Sequence, residues 1–108
     1  MTDDGSEEIQ VIDNPDEGQF EIHVDGVRAG LTAYLDGSDG VRTFPHTEVA
    51  DEFGGRGLAT RLIEGALDAT REAGLGVLPE CSAVRGFLAK HPEYVDLVPA
   101  ERRDEFDL

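Results

Sequence analysis

Cysteine occurs once in these 108 residues, as Cys81, and lysine occurs once, as Lys90. A single thiol excludes an intrachain disulfide and a thiolate-rich zinc site. The histidines His23, His46 and His91 are scattered and make no metal constellation with one cysteine. No window approaches the ~20 apolar residues of a membrane span. Bases are scarce, with 9 Lys and Arg against 24 Asp and Glu, a formal charge of −15. A field of that sign repels phosphate backbones and anionic lipid, so neither nucleic acid nor a membrane surface is an expected partner.

What is present suffices for one small domain. Hydrophobic residues make up 39% of the chain, enough for an ordinary core and too many for a disordered one. All the bases but Lys90 are arginines. Abundant acid with almost no lysine reads as a salt-adapted, halophilic surface, on which screening relieves self-repulsion. The plainer alternative is an acidic protein with acidic ends, since Asp3, Asp4, Glu7 and Glu8 open the chain and Asp104, Glu105 and Asp107 close it. The acidic N-terminus lacks an apolar signal core, so the expected compartment is the cytoplasm.

The patterning divides the chain into a disordered acidic tail over 1–8, one domain over 9–98 and an acidic C-terminal tail over 99–108. A short first strand is expected from Ile9 to Ile12, with a turn at Asn14-Pro15-Asp16-Glu17-Gly18. Phe20, Ile22 and Val24 alternate with Gln19, Glu21 and His23, the period of a strand with one buried face. His23 falls on the outward side. Asp25-Gly26 is a hairpin signal, and Val27 to Leu35 alternates again. After the turn at Asp36–Gly40, Val41 to Val49 forms a strand interrupted by Pro45, which removes a ladder donor and implies a bulge or an edge.

Then the period changes. Leu58, Ala59, Leu62, Ala66, Ala69 and Ala73 share one side of a helix expected over Gly55–Ala73, with Gly74 placed to end it. Leu75–Leu78 reads as a short buried strand. Val84, Phe87, Leu88 and His91 mark a second helix that Pro92 terminates, with His91 as a packing residue. The rest is polar, with Tyr94, Leu97 and Val98 able to dock. The expected fold is α+β, an antiparallel meander followed by helix-strand-helix, in the order β-β-β-β-α-β-α.

Three features could carry chemistry. The stretch Val49-Ala50-Asp51-Glu52-Phe53-Gly54-Gly55-Arg56-Gly57-Leu58-Ala59 is a Gly-rich loop leading into a helix, whose first turn offers unpaired N–H groups to an anion. It could equally be a tight turn, and it matches neither a P-loop nor a Rossmann fingerprint. Cys81 stands at the start of the last helix, where the dipole favours a thiolate; it also reads as a small buried hydrophobe. His46, in His46-Thr47-Glu48, is a candidate general base near neutral pH, or simply a strand residue beside the bulge.

Taken together, these residues resemble the GCN5-related N-acetyltransferases. Gly54-x-x-Gly57-x-Ala59 is similar to that family's Arg/Gln-x-x-Gly-x-Gly/Ala motif. His46-Thr47-Glu48-Val49, Gly55-Arg56-Gly57-Leu58-Ala59 and Pro79-Glu80-Cys81 resemble its minimal single-domain branch. The resemblance covers residues 9–98. It implies acetyl-CoA as co-substrate, its pyrophosphate on the backbone of residues 54–59 and its pantetheine arm along the strand ending near Val49. It also implies a small-molecule or peptide amine as acceptor, and a catalytic part for Cys81 as nucleophile or acid. Gly54 departs from the family's Arg or Gln, with Arg56 the nearby cation. Leu88 stands where the family often places a Tyr acid. The alternative from another class is an acyl-CoA-binding module with little or no turnover. A monomer or a weak dimer is expected.

Overall fold

The structure is a computed structural model that describes residues 8–108. The acidic tail expected over 1–8 lies outside the described residues except for Glu8, whose amide donates to Asp25 Oδ1 at 2.9 Å. Five strands, β1 (Ile9–Asn14), β2 (Gln19–Val24), β3 (Val27–Asp36), β4 (Val41–Val49) and β5 (Gly76–Leu78), form one sheet in sequence order. Helix α1 (Leu58–Glu72) connects β4 to β5, and α2 (Ser82–Lys90) follows. β1 to β4 pair antiparallel, whereas β5 runs parallel to β4. This is the expected α+β order.

The local chemistry explains the elements. Asp25 and Gly26 both take positive φ, 51° and 84°, as a tight hairpin turn of the primed class requires. The alternating side chains Phe20, Ile22 and Val24 are buried on one face of the sheet. α1 lays Leu58, Leu62, Ile63, Ala66 and Leu67 across that face. α2 adds Val84, Phe87 and Leu88 to the same core. Burial of these side chains, worth roughly 1.5–3 kcal/mol for each large one, supplies the main driving force.

Several boundaries differ from expectation. α1 begins at Leu58, not Gly55, because Gly55 and Gly57 adopt φ of 76° and 73° and cannot lie in a right-handed helix. The first strand continues to Asn14, paired with Gln19. His23 is half-buried, not simply outward, because Glu21 Oε1 holds its Nε2 at 2.9 Å. Past Pro92 the chain winds into two 3₁₀ segments, Pro92–Leu97 and Ala100–Phe106. Leu97 and Val98 are buried, and Phe106 and Leu108 also pack against the core. Sequence periodicity missed these segments because a 3₁₀ turn lacks the 3.6-residue repeat.

Pro45 has the largest consequence for shape. The β3–β4 register runs from Ala33↔His46 to Leu35↔Thr43, so β4 carries an extra residue at Phe44-Pro45. This is the bulge expected from the missing proline donor. β5 pairs only with Val41, Arg42 and Thr43, and stops where the bulge begins. Beyond it, β4 keeps β3 on one side and has no ladder partner on the other among the described residues. The sheet therefore splays open between β4 and β5.

Candidate active site

The open edge of β4 leads directly into the Gly-rich loop. Ala50 N–H closes the strand by donating to Ala29 O at 2.8 Å, Asp51–Phe53 makes one 3₁₀ turn, and Gly57 is the N-cap of α1. Gly57 supplies no side-chain cap, and the first turn of α1 holds no acid. The first helical bond at this end runs from Arg61 N–H to Gly57 O. The amides of Leu58, Ala59 and Thr60 therefore stand outside the helix ladder, at the positive end of the dipole. A Cβ built on Gly55 or Gly57 would meet nothing within 4 Å, so the loop backbone is bare. Leu58 anchors the turn, its side chain only 2% exposed. The Arg56 guanidinium lies 5.6 Å from the centre of the Phe53 ring.

From this turn an open groove of about 270 Å³ runs between the two helices. Ala59, Thr60 and Ile63 form one wall; Ser82, Ala83, Gly86 and Lys90 lie along the other. The small side chains of Ala59, Ser82, Ala83 and Gly86 leave the space between the walls unfilled. The sole lysine of the chain thus lines the groove. Lys90, Thr60 and Gly86 carry no sequence signal of a site, because the proximity of two helix faces is not written in either helix.

Cys81 immediately precedes the Ser82–Ala83 wall of the groove and borders the splay. It is the N-cap of α2, half-buried, and its amide donates to Phe44 O at 3.0 Å, beside the bulge. Its sulfur lies 3.3 Å from Thr47 Oγ1. Thr47 Oγ1 in turn lies 2.8 Å from Thr32 Oγ1. Val49, two residues along β4, shares the Thr47 side and pairs with Gly30.

His46 is not on that side. Successive strand residues point to opposite faces, so with Thr47 turned towards Cys81 the His46 side chain faces the other way. It is 60% exposed, and its Nε2 is 3.0 Å from Glu48 Oε2. Glu48 borders a hollow of about 130 Å³ between β3 and β4, with Arg28 and Leu31. The structure thus groups Cys81, Thr47 and Val49 on one side of β4 and leaves His46 across the strand.

The remaining candidates are structural. His91 stacks on Phe87 with ring centres 4.1 Å apart, as a packing residue should. Leu88 is fully buried in the core. Tyr94 donates to Asp68 Oδ1 at 2.8 Å, and that bond, together with burial, pushes its phenol up to about 12. Among the described residues no group of three or more His, Cys, Asp or Glu is placed to hold a metal ion. No helix among them is long and apolar enough to cross a membrane.

A family model for GCN5-related N-acetyltransferases matches residues 19–97, most of the chain and all of the elements just described from β2 to the 3₁₀ turn after α2. The chain belongs to the GCN5-related N-acetyltransferase family. A comparison with curated proteins finds no match. Family membership makes this an acyltransferase-type domain.

Proposed function

We propose that the chain transfers an acetyl group from acetyl-CoA to an amine. One observation supports this reading: a groove runs from the first turn of an uncapped helix to Ser82, the residue after a cysteine that is bonded to β4 where its edge loses its partner. The residues fit the co-substrate, since the amides of Leu58, Ala59 and Thr60 offer donors to its pyrophosphate and Lys90 offers a cation along the groove. Val49, Gly54, Gly55, Arg56 and Gly57 complete the binding stretch. Bound there, acetyl-CoA supplies an activated acetyl thioester. The unpartnered edge of β4 beyond Pro45 offers backbone donors to polarise its carbonyl.

The thiol of Cys81 then does the work in two steps. Its sulfur bonds to the acetyl carbon as the bond to the departing sulfur breaks, and the thiol proton goes to that sulfur. A neutral amine next attacks the acetyl carbon, the bond to Cys81 breaks, and the amine's proton restores the thiol. His46 lies on the opposite face of β4 from Cys81, paired with Glu48, so it takes no direct part in this step, and the acceptor amine enters already neutral.

A second reading, an acyl-CoA-binding module, draws on the half-burial of Cys81. Intact-mass measurement after mixing with acetyl-CoA in concentrated KCl separates the two. Transfer predicts one added acetyl group, absent in Cys81→Ser, and CoA release once amines are added. Acetyl-CoA binding with neither signal would leave the module.

A further inference from the structure

We infer that Thr47, backed by Thr32, is the positioning residue that orients the sulfur of Cys81 and favours its thiolate. This rests on the reading that Cys81 reacts, and it concerns residues outside the loop and groove. The three side chains form a line: Thr32 Oγ1 to Thr47 Oγ1 at 2.8 Å, then Thr47 Oγ1 to Cys81 Sγ at 3.3 Å.

The direction of the hydrogens follows from where the line ends. Thr32 is 0% exposed on the core face of β3. A buried hydroxyl needs a partner, and among the described residues the one its side chain has is Thr47. A hydroxyl carries a single hydrogen. If Thr47 donated to Thr32, the hydrogen of Thr32 would have no acceptor. Thr32 therefore donates to Thr47, and Thr47 donates to the sulfur. A donor aimed at sulfur favours the thiolate over the thiol.

Packing does not account for the pair. Valine has the same shape as threonine and suits a buried strand face better, with no hydroxyl to satisfy. The cross-strand register sets Thr32 directly opposite Thr47, and the Cys81 N–H bond to Phe44 O brings the sulfur alongside. Charged groups lie nearby but aim elsewhere. The Arg85 guanidinium of α2 is tied to the carbonyls of Pro79 and Glu80. Glu80 is exposed, and His46 and Glu48 flank Thr47 on the opposite face of β4.

The test is the rate of Cys81 alkylation by iodoacetamide in the full chain without acetyl-CoA, from about pH 6 to 10, across the range where thiols ionise. Thr47→Val is expected to move the half-maximal rate to higher pH and to slow alkylation near neutrality about tenfold, the worth of one hydrogen bond to a charged group. The rate at high pH is expected to stay at the wild-type plateau. Thr47→Ser, which keeps the hydroxyl, is expected to restore the profile. Thr32→Val is expected to give a smaller shift in the same direction, and it carries the test alone should Thr47→Val fail to fold. A Thr47→Val profile that coincides with wild type, a Thr47→Ser variant that does not restore it, or, with Thr47→Val unfolded, an unshifted Thr32→Val would overturn the inference. A shift in alkylation without an acetyl adduct would keep the hydroxyl line and sink acetyl transfer; an adduct without a shift would do the reverse.

Discussion

The amide of Cys81 donates to the carbonyl of Phe44 at 3.0 Å, so the start of α2 is tied to β4 at the residue where β4 bulges away from β5. The bond replaces the ladder that Pro45 interrupts. It holds the thiol at the mouth of the splay, and with it the groove between α1 and α2.

Gly57 and Gly74 have nearly the same left-handed backbone, φ of 73° and 76°, at opposite ends of α1, and a Cβ meets no atom within 4 Å at either. Alanine at either position is expected to cost about 1–2 kcal/mol in urea denaturation, the penalty of αL for an L residue. Only Gly57→Ala places a methyl where a phosphate must approach the α1 amides. It is expected to weaken acetyl-CoA at least tenfold in a titration, with Gly74→Ala unchanged. Equal affinities would remove the loop from the binding site.

The acid–base cluster around Glu21 predicts a pH-dependent stability. Hydrogen bonds from Gln19, then His23, then Asn14, with Arg28 3.6 Å away, hold its carboxyl down at about 2. A folded value below the unfolded one near 4.5 contributes stability that is present above that value and lost as pH falls towards 2. The contribution is on the order of 3 kcal/mol at neutral pH. Glu21→Gln is expected to lose it, so the gap in urea stability between wild type and variant should narrow from pH ~6 to ~3. A constant gap would refute this.

Alkali should act through the tyrosines. Burial and a hydrogen bond donated to Asp13 push Tyr34 up to about 12, and the bond to Asp68 does the same for Tyr94. These are the only tyrosines and there is no tryptophan, so ultraviolet absorbance reads them without interference. Values raised above the unfolded 10 contribute stability that is complete below that pH and is lost as pH rises towards 12. The folded protein is expected to show no phenolate signal with a midpoint near 10. A normal midpoint for either would break the corresponding contact.

The charge of −15 predicts that binding of acetyl-CoA depends on salt. An anionic co-substrate must approach a negative protein, so affinity for acetyl-CoA is expected to rise with KCl over the range where screening removes net repulsion. Lys90→Glu is expected to weaken binding more at low salt than at molar salt. Calorimetric titration across KCl checks both, and affinity that falls steadily with salt would contradict them.

Much of this was legible in one dimension. The alternation of Phe20, Ile22 and Val24, the Asp25-Gly26 turn and the apolar stripe of α1 report local periodicities, which neighbouring residues set directly. Pro45 announced its bulge because a missing donor is a property of the residue itself. The Gly loop, too, was visible as a glycine-rich lead into a helix, although the helix starts at Leu58 and not at Gly55.

Other features depend on residues far apart in the chain. Thr32, Thr47 and Cys81 come from three elements, and only cross-strand register and the Phe44–Cys81 bond make them neighbours. Lys90 joins the loop in one groove only because α2 folds back beside α1. His46 and Thr47 are neighbours whose strand period sends them to opposite faces, but only the fold shows that Cys81 lies on the Thr47 side. The sequence by itself determined the elements, the turns and the charge, because these are local or additive. The tertiary structure alone decided which side chains share a site, because that depends on packing between segments whose order along the chain carries no distance.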